Sequence, residues 1–201
     1  MDDNFFYDRN APLLIRCGGC LPHWLQEGKL QFITFRLADS IPAYKVVEIK
    51  NEMDEFLNRH PKPWNNEIVR RYYDLFNKID KYLDQGAGEC VLKGPEIRRI
   101  LEETIEYCDG RDYDVVAYVI MPNHVHMLMA VYAELDKIIA RIKKYSALNI
   151  NKALNRKGKL WMREYHDRIV RSEFHFDHCL NYIIQNPERL PDSFFTLKIN
   201  C

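Results

Sequence analysis

The sequence has no apolar run approaching the ~18–20 residues of a membrane-spanning helix, which weighs against a helical anchor. It also lacks net charge: 29 Lys and Arg are matched by 29 Asp and Glu across 201 residues. A uniformly basic nucleic-acid binder is thereby disfavoured. Cysteine is sparse, with residues at 17, 20, 90, 108, 179 and 201 only. That is too few for a disulfide scaffold and predicts reduced thiols in a cytoplasm. The first ten residues are acidic and aromatic, without the basic start and apolar middle of a signal peptide. There is no internal repeat, no low-complexity segment and no Gly-x-x-x-x-Gly-Lys phosphate loop, so nucleotide-driven chemistry is not expected.

What remains is a globular composition, 47% apolar and 29% charged, of a length suited to one domain with an embellishment. The neutral average conceals a gradient. Residues 131–201 carry 13 basic and 8 acidic side chains, and each earlier stretch is slightly acidic. A phosphate-binding face is therefore expected in the last third. Its candidate DNA contacts are Lys143, Lys144, Arg163, Arg168 and Arg171, with Trp161 either as a surface on which a base could stack or as a packing residue of the core. For any single cation, a solvated surface charge is the competing reading.

Residues 31–37 are rich in β-branched and aromatic side chains and predict a strand. Helical apolar spacing follows over 42–59 and 65–84, separated by Pro61 and Pro63, and again over 95–108. Two strands, 113–121 and 124–130, flank Pro122-Asn123, which is turn chemistry. A helix over 134–155, a short strand over 167–171 and a helix over 173–186 complete the pattern. Residues 191–201 have no clear pattern. The order predicts an α+β fold: a ferredoxin-like split β-α-β with an antiparallel sheet, helices on one face and an additional C-terminal helix. The expected core is 20–60 with 93–190, and 61–92 is expected as a helical insertion.

His124 and His126 are two apart on a predicted strand, so both imidazoles project from one face while Val125, Met127 and Met129 project from the other. Two neutral imidazoles are half of a metal site; two hydrogen-bonded edge histidines fit the spacing equally well. On the last helix His178, Tyr182 and Asn186 recur every four residues and share a stripe, with Gln185 beside it. That stripe fits either a solvent-facing polar side or a second half-site.

Read together, these segments resemble a known family. Met121-Pro-Asn-His-Val-His-Met-Leu is similar to the His-hydrophobic-His motif of single-tyrosine transposases. Leu160-Trp-Met-Arg-Glu-Tyr-His-Asp-Arg-Ile-Val-Arg and Asn181-Tyr-Ile-Ile-Gln-Asn-Pro resemble two further blocks of that group. Leu21-Pro-His-Trp, Phe32-Ile-Thr-Phe-Arg-Leu and Ile41-Pro resemble its N-terminal block. The blocks span about residues 20–190 in order and match the REP-associated tyrosine transposases most nearly. The resemblance implies Tyr182 as nucleophile, with His124, His126 and Asn186 as ligands of Mg²⁺ or Mn²⁺; Gln185 is the alternative third ligand. It further implies a single-stranded DNA substrate next to a hairpin, cut through a 5′-phosphotyrosine linkage, by a monomer or homodimer in the cytoplasm. A hairpin-binding protein of the same fold without transposition activity is the alternative. Cys17-Gly-Gly-Cys20, near His23, departs from the family pattern and offers half of a zinc-binding set.

Overall fold

The computed structural model describes residues 3–17, 22–61 and 64–200. The chain divides into two units: Met1–Ala38 with Val91–Cys201, and Asp39–Cys90.

The larger unit is organised by a five-stranded antiparallel sheet in the order β6-β3-β5-β4-β7. Its strands are β3 (Lys29–Arg36), β4 (Tyr113–Ile120), β5 (His124–Val131), β6 (His166–Ile169) and β7 (Thr196–Ile199), following a small β1–β2 pair (Leu14–Cys17, Pro22–Leu25). Gly28, at φ 73°, makes the left-handed turn from β2 into β3, a conformation that costs glycine little. Helix α3 (Pro95–Glu106) joins β3's neighbourhood to β4, and α4 (Leu135–Ala153) joins β5 to β6. Without β7, the sheet has the crossed order of the split β-α-β arrangement, as expected.

Strand alternation divides the sheet into two chemically different faces. Ile33, Phe35, Val125, Met127, Met129, Tyr118 and Ile120 share a core with Leu101, Ile105, Ile138 and Ile142 of α3 and α4. Leu30, Phe32, Leu128 and Ala130 share the second core with Cys179 and Ile183 of α5 (Glu173–Gln185). A bulge between Val115 and Ala117 re-phases β4, and Val116 and Ala117 both belong to the α5 core. The helices are thus on both faces, not on one as the element order suggested: α3 and α4 cover one, and the added α5 covers the other because Leu30, Phe32, Leu128 and Ala130 make that face apolar too.

The C-terminal stretch carries an element that local pattern does not announce. β7 pairs with β4, and Arg98 of α3 secures the approach to it. Its guanidinium donates to Thr196 Oγ1 at 3.0 Å, to the carbonyls of Leu92 and Lys93 at 3.0 and 2.7 Å, and to that of Ser193 at 2.8 Å.

The smaller unit holds α1 (Ala43–Arg59) and α2 (Asn66–Leu83). It spans 39–90 and not 61–92, and within it α1 packs on α2. Phe56 lies 5.8 Å from Tyr72 and 5.9 Å from Trp64, and Lys78 bridges to Glu52 at 2.9 Å. Asn65 caps α2 by accepting from the Ile68 amide at 2.9 Å. No described helix is long and apolar enough to cross a membrane.

Candidate active site

The two histidines stand where the strand period puts them. His124 and His126 are fully buried on the α5 face of β5, ring centroids 4.7 Å apart. Each imidazole is oriented by a neighbour. Asn123 Oδ1, an acceptor, takes the proton of His124 Nδ1 at 2.7 Å, which leaves the Nε2 lone pair as that ring's acceptor. Thr34 Oγ1 lies 2.8 Å from His126 Nδ1, opposite it in the β3–β5 register. Burial lowers both rings' affinity for protons, His124 to about 3 and His126 well below its ordinary value. Neutral imidazole is the form that binds metal.

Helix α5 brings the phenol. Ser172 caps the helix by accepting from the His175 amide at 3.2 Å, and Cys179 and Ile183 seat it on the sheet. Tyr182, on the adjoining stripe, meets His126 edge to face with centroids 5.0 Å apart, and meets Phe32 at 5.8 Å. Asn186 follows one turn later as the C-cap, its amide bonded to the Tyr182 carbonyl at 3.0 Å. All of this lies within one chain.

His126 Nε2 and Asn186 Oδ1 are buried without a hydrogen-bond partner. Leaving such atoms unsatisfied is costly, and a bound cation would satisfy both. Two neutral imidazoles with an amide oxygen form a donor set that Mn²⁺ or Mg²⁺ accepts. The residues present therefore fit the implied metal. Gln185 is exposed, as is His178, so Asn186 is the better-placed of the two amides. Among the described residues no three His, Cys, Asp or Glu form a metal-holding group. Cys20 and the Cys17 side chain lie outside the described residues; His23 bonds through Nδ1 to Asp167.

The sheet adds residues that the spacing argument missed. His166 faces Thr34 across β3–β6, so His166, Thr34 and His126 form one row. Arg168 is one row along, opposite Phe32. Arg36 stands opposite His124. Alternation within β3 and β6 was the available signal, but pairing register is not written locally.

The candidate DNA contacts separate. Lys144, Arg163 and Arg171 are exposed, and Arg168 is half-buried. Arg171 lies over the Trp24 ring at 5.7 Å. Lys143 instead anchors a loop, donating to the carbonyls of Met162, Arg163 and Glu164 at 3.1, 3.1 and 3.2 Å. Of the two readings of Trp161, packing holds and the stacking platform is corrected. It is 5% exposed, packs edge-on against Phe35 and donates its indole proton to Ser146 Oγ at 2.9 Å. It is a core residue.

Residues 89–186 match the family described as "Transposase IS200 like". A Haemophilus influenzae protein named as a REP-associated tyrosine transposase is 26% identical over 104 residues. The match takes in 46% of this chain and 57% of that relative, so the chain spans little more than half the relative's length. Among solved structures, a REP-associated tyrosine transposase bound to a REP hairpin aligns over 83% of this chain and 71% of its own. The identity there is 14% and the TM-score 0.44. A transposase from Deinococcus radiodurans aligns over 78% and 89%, with 14% identity and a TM-score of 0.37. The family match and the named relative agree with the resemblance drawn from the residues: the chain is similar to IS200-like and REP-associated tyrosine transposases.

Proposed function

We propose that this chain, whose residues 89–186 match the IS200-like transposases, is a metal-dependent single-stranded DNA endonuclease and strand transferase that acts next to hairpins. One observation carries the reading: the ring of Tyr182 meets His126, which lies beside His124, inside a single chain. A divalent cation held by His124, His126 and Asn186 would polarise the scissile phosphate and stabilise developing negative charge.

The rest falls to the chain's own groups. Tyr182 Oη attacks phosphorus in line with the 3′ oxygen. A phosphorus–tyrosine bond forms, the bond to the 3′ oxygen breaks, and the 3′ oxygen takes up a proton as the phenol loses one to solvent. One phosphoester replaces another, so a second 3′ hydroxyl can reverse the step without ATP. Thr34 and Asn123 hold the imidazoles in the orientation that leaves Nε2 available. Lys144, Arg163, Arg168 and Arg171 would follow the strand's phosphates. The hairpin context comes from the family resemblance.

The test uses labelled single-stranded oligonucleotides with an imperfect hairpin and Mn²⁺, separated on a denaturing gel. Cleavage should leave a covalent protein–DNA band that Tyr182→Phe abolishes. Cleavage without that band would refute the tyrosine's role, and binding without cleavage would identify a DNA-binding relative.

A further inference from the structure

We propose that Arg36 grips the scissile phosphate beside His124, making it a catalytic contact that the His-Tyr constellation leaves unassigned. This deepens, and rests on, the reading of the site as a phosphodiester-cleaving centre.

Register is the first argument. Arg36 is paired with His124 across β3–β5, and Thr34, two residues earlier, is paired with and bonded to His126. Residues two apart on a strand share a face, so Arg36 belongs to the face that carries both imidazoles and α5. It is fixed there from both sides. Met162 donates its amide to the Arg36 carbonyl at 2.9 Å, and the next residue, Leu37, donates to the Asn123 carbonyl at 2.9 Å. Leu37 also forms a bridge with Trp161. The guanidinium therefore departs from backbone tied to the turn that presents His124.

Charge is the second argument. Arg36 is half-buried, and burial pushes its guanidinium down to about 10. Arg36 is thus held at the His124 end of β3 at the cost of lost hydration, which a phosphate arriving on that face would offset. An arginine fork can offer two parallel N–H groups to two phosphate oxygens, a geometry a lysine cannot match.

The experiment measures single-turnover formation of the protein–DNA adduct with the hairpin oligonucleotide, after sequencing of the adduct has mapped the cut. Wild type, Arg36→Gln, Arg36→Lys and Tyr182→Phe are compared. Removing one such charge-stabilising donor should slow adduct formation about 10²–10³-fold, with Arg36→Lys intermediate. A second oligonucleotide carries a neutral methylphosphonate at the cut. There the gap between wild type and Arg36→Gln should close, because the guanidinium has no charge to compensate. If Arg36→Gln does not fold, Arg36→Lys carries the same comparison. Adduct rates for both variants near wild type, with Tyr182→Phe inactive, would overturn the proposal and leave the tyrosine's role standing. An equal loss on both oligonucleotides would also overturn it, by marking Arg36 as structural. No adduct from wild type would overturn the underlying reading and Arg36's role with it.

Discussion

Tyr182 and His126 meet edge to face, 5.0 Å between ring centroids, without help from a second copy of the chain. Each folded chain therefore carries a complete set of candidate reacting groups. Mixing Tyr182→Phe with His126→Ala should not restore adduct formation, because neither chain holds both parts. Recovery to about a quarter of wild-type activity on equimolar mixing would show that α5 is exchanged between subunits.

Thr34 is the smallest handle on the metal reading. Thr34→Val keeps the shape but removes the hydroxyl 2.8 Å from His126 Nδ1. Loss of such an outer contact weakens metal affinity by about 10–100-fold. Calorimetric Mn²⁺ titration of the folded variant should show that loss, together with a proportionate rise in the Mn²⁺ needed for adduct formation. Unchanged Mn²⁺ affinity would mean that His126 is oriented by packing alone.

The buried imidazoles set a direction for acid stability. His124 and His166 are held at about 3 and His126 well below its ordinary value, principally by burial. An unfolded chain takes up these protons near ~6.5, whereas the folded one does not. Stability from these groups is thus complete above that value and is lost progressively as pH falls toward about 3. His23 and Asp167 are both raised and run the opposite way, so a difference measurement is needed. The urea midpoint of metal-free protein should fall between pH 6.5 and 4.5, and less steeply in His124→Asn/His126→Asn. Equal slopes would place the acid sensitivity elsewhere.

Arg98 bears on the C-terminal strand. Arg98→Met removes four hydrogen bonds and leaves carbonyls of Leu92, Lys93 and Ser193 without that donor. Stranding buried acceptors costs about 1–3 kcal/mol, so a destabilisation in that range is expected. Hydrogen exchange should quicken first at Thr196–Ile199. Unaltered protection there would show that pairing with β4 alone holds the tail.

The phosphate-tracking role of the exposed cations predicts a salt response. Oligonucleotide affinity should fall linearly with log salt, and each charge removed at Lys144, Arg163 or Arg171 should reduce the slope by about 0.7, the single-strand value. A wild-type affinity indifferent to salt would dismiss the basic last third as a DNA face.

Much of this was legible locally. The i, i+2 histidines and the i, i+4 tyrosine and asparagine follow from strand and helix periods, which need no tertiary knowledge. The core strands and helices were legible for the same reason. β7 was not, because Thr196-Leu-Lys-Ile is short and is stabilised by its pairing with β4 and by Arg98 beside it. The α1–α2 pairing was hidden too, since apolar spacing says that a helix has a partner but not which one. Trp161 misleads for a related reason: its basic neighbours suggest a surface, but Ser146 and Phe35 draw it inside. Arg36 and His166 join the site through register, which only the folded sheet discloses.

Alternation along β5 carries one more implication. Val125, Met127 and Met129 serve cohesion on one side, whereas His124 and His126 stand on the other, so these two demands fall on different residues of one ribbon. Aliphatic exchanges at 125, 127 and 129 can drift without touching chemistry, provided volume is kept. A single-residue insertion or deletion ahead of His124 could not drift in that way. It would turn the imidazoles into the oily side and abolish turnover, even in a molecule that still collapsed around the same strands.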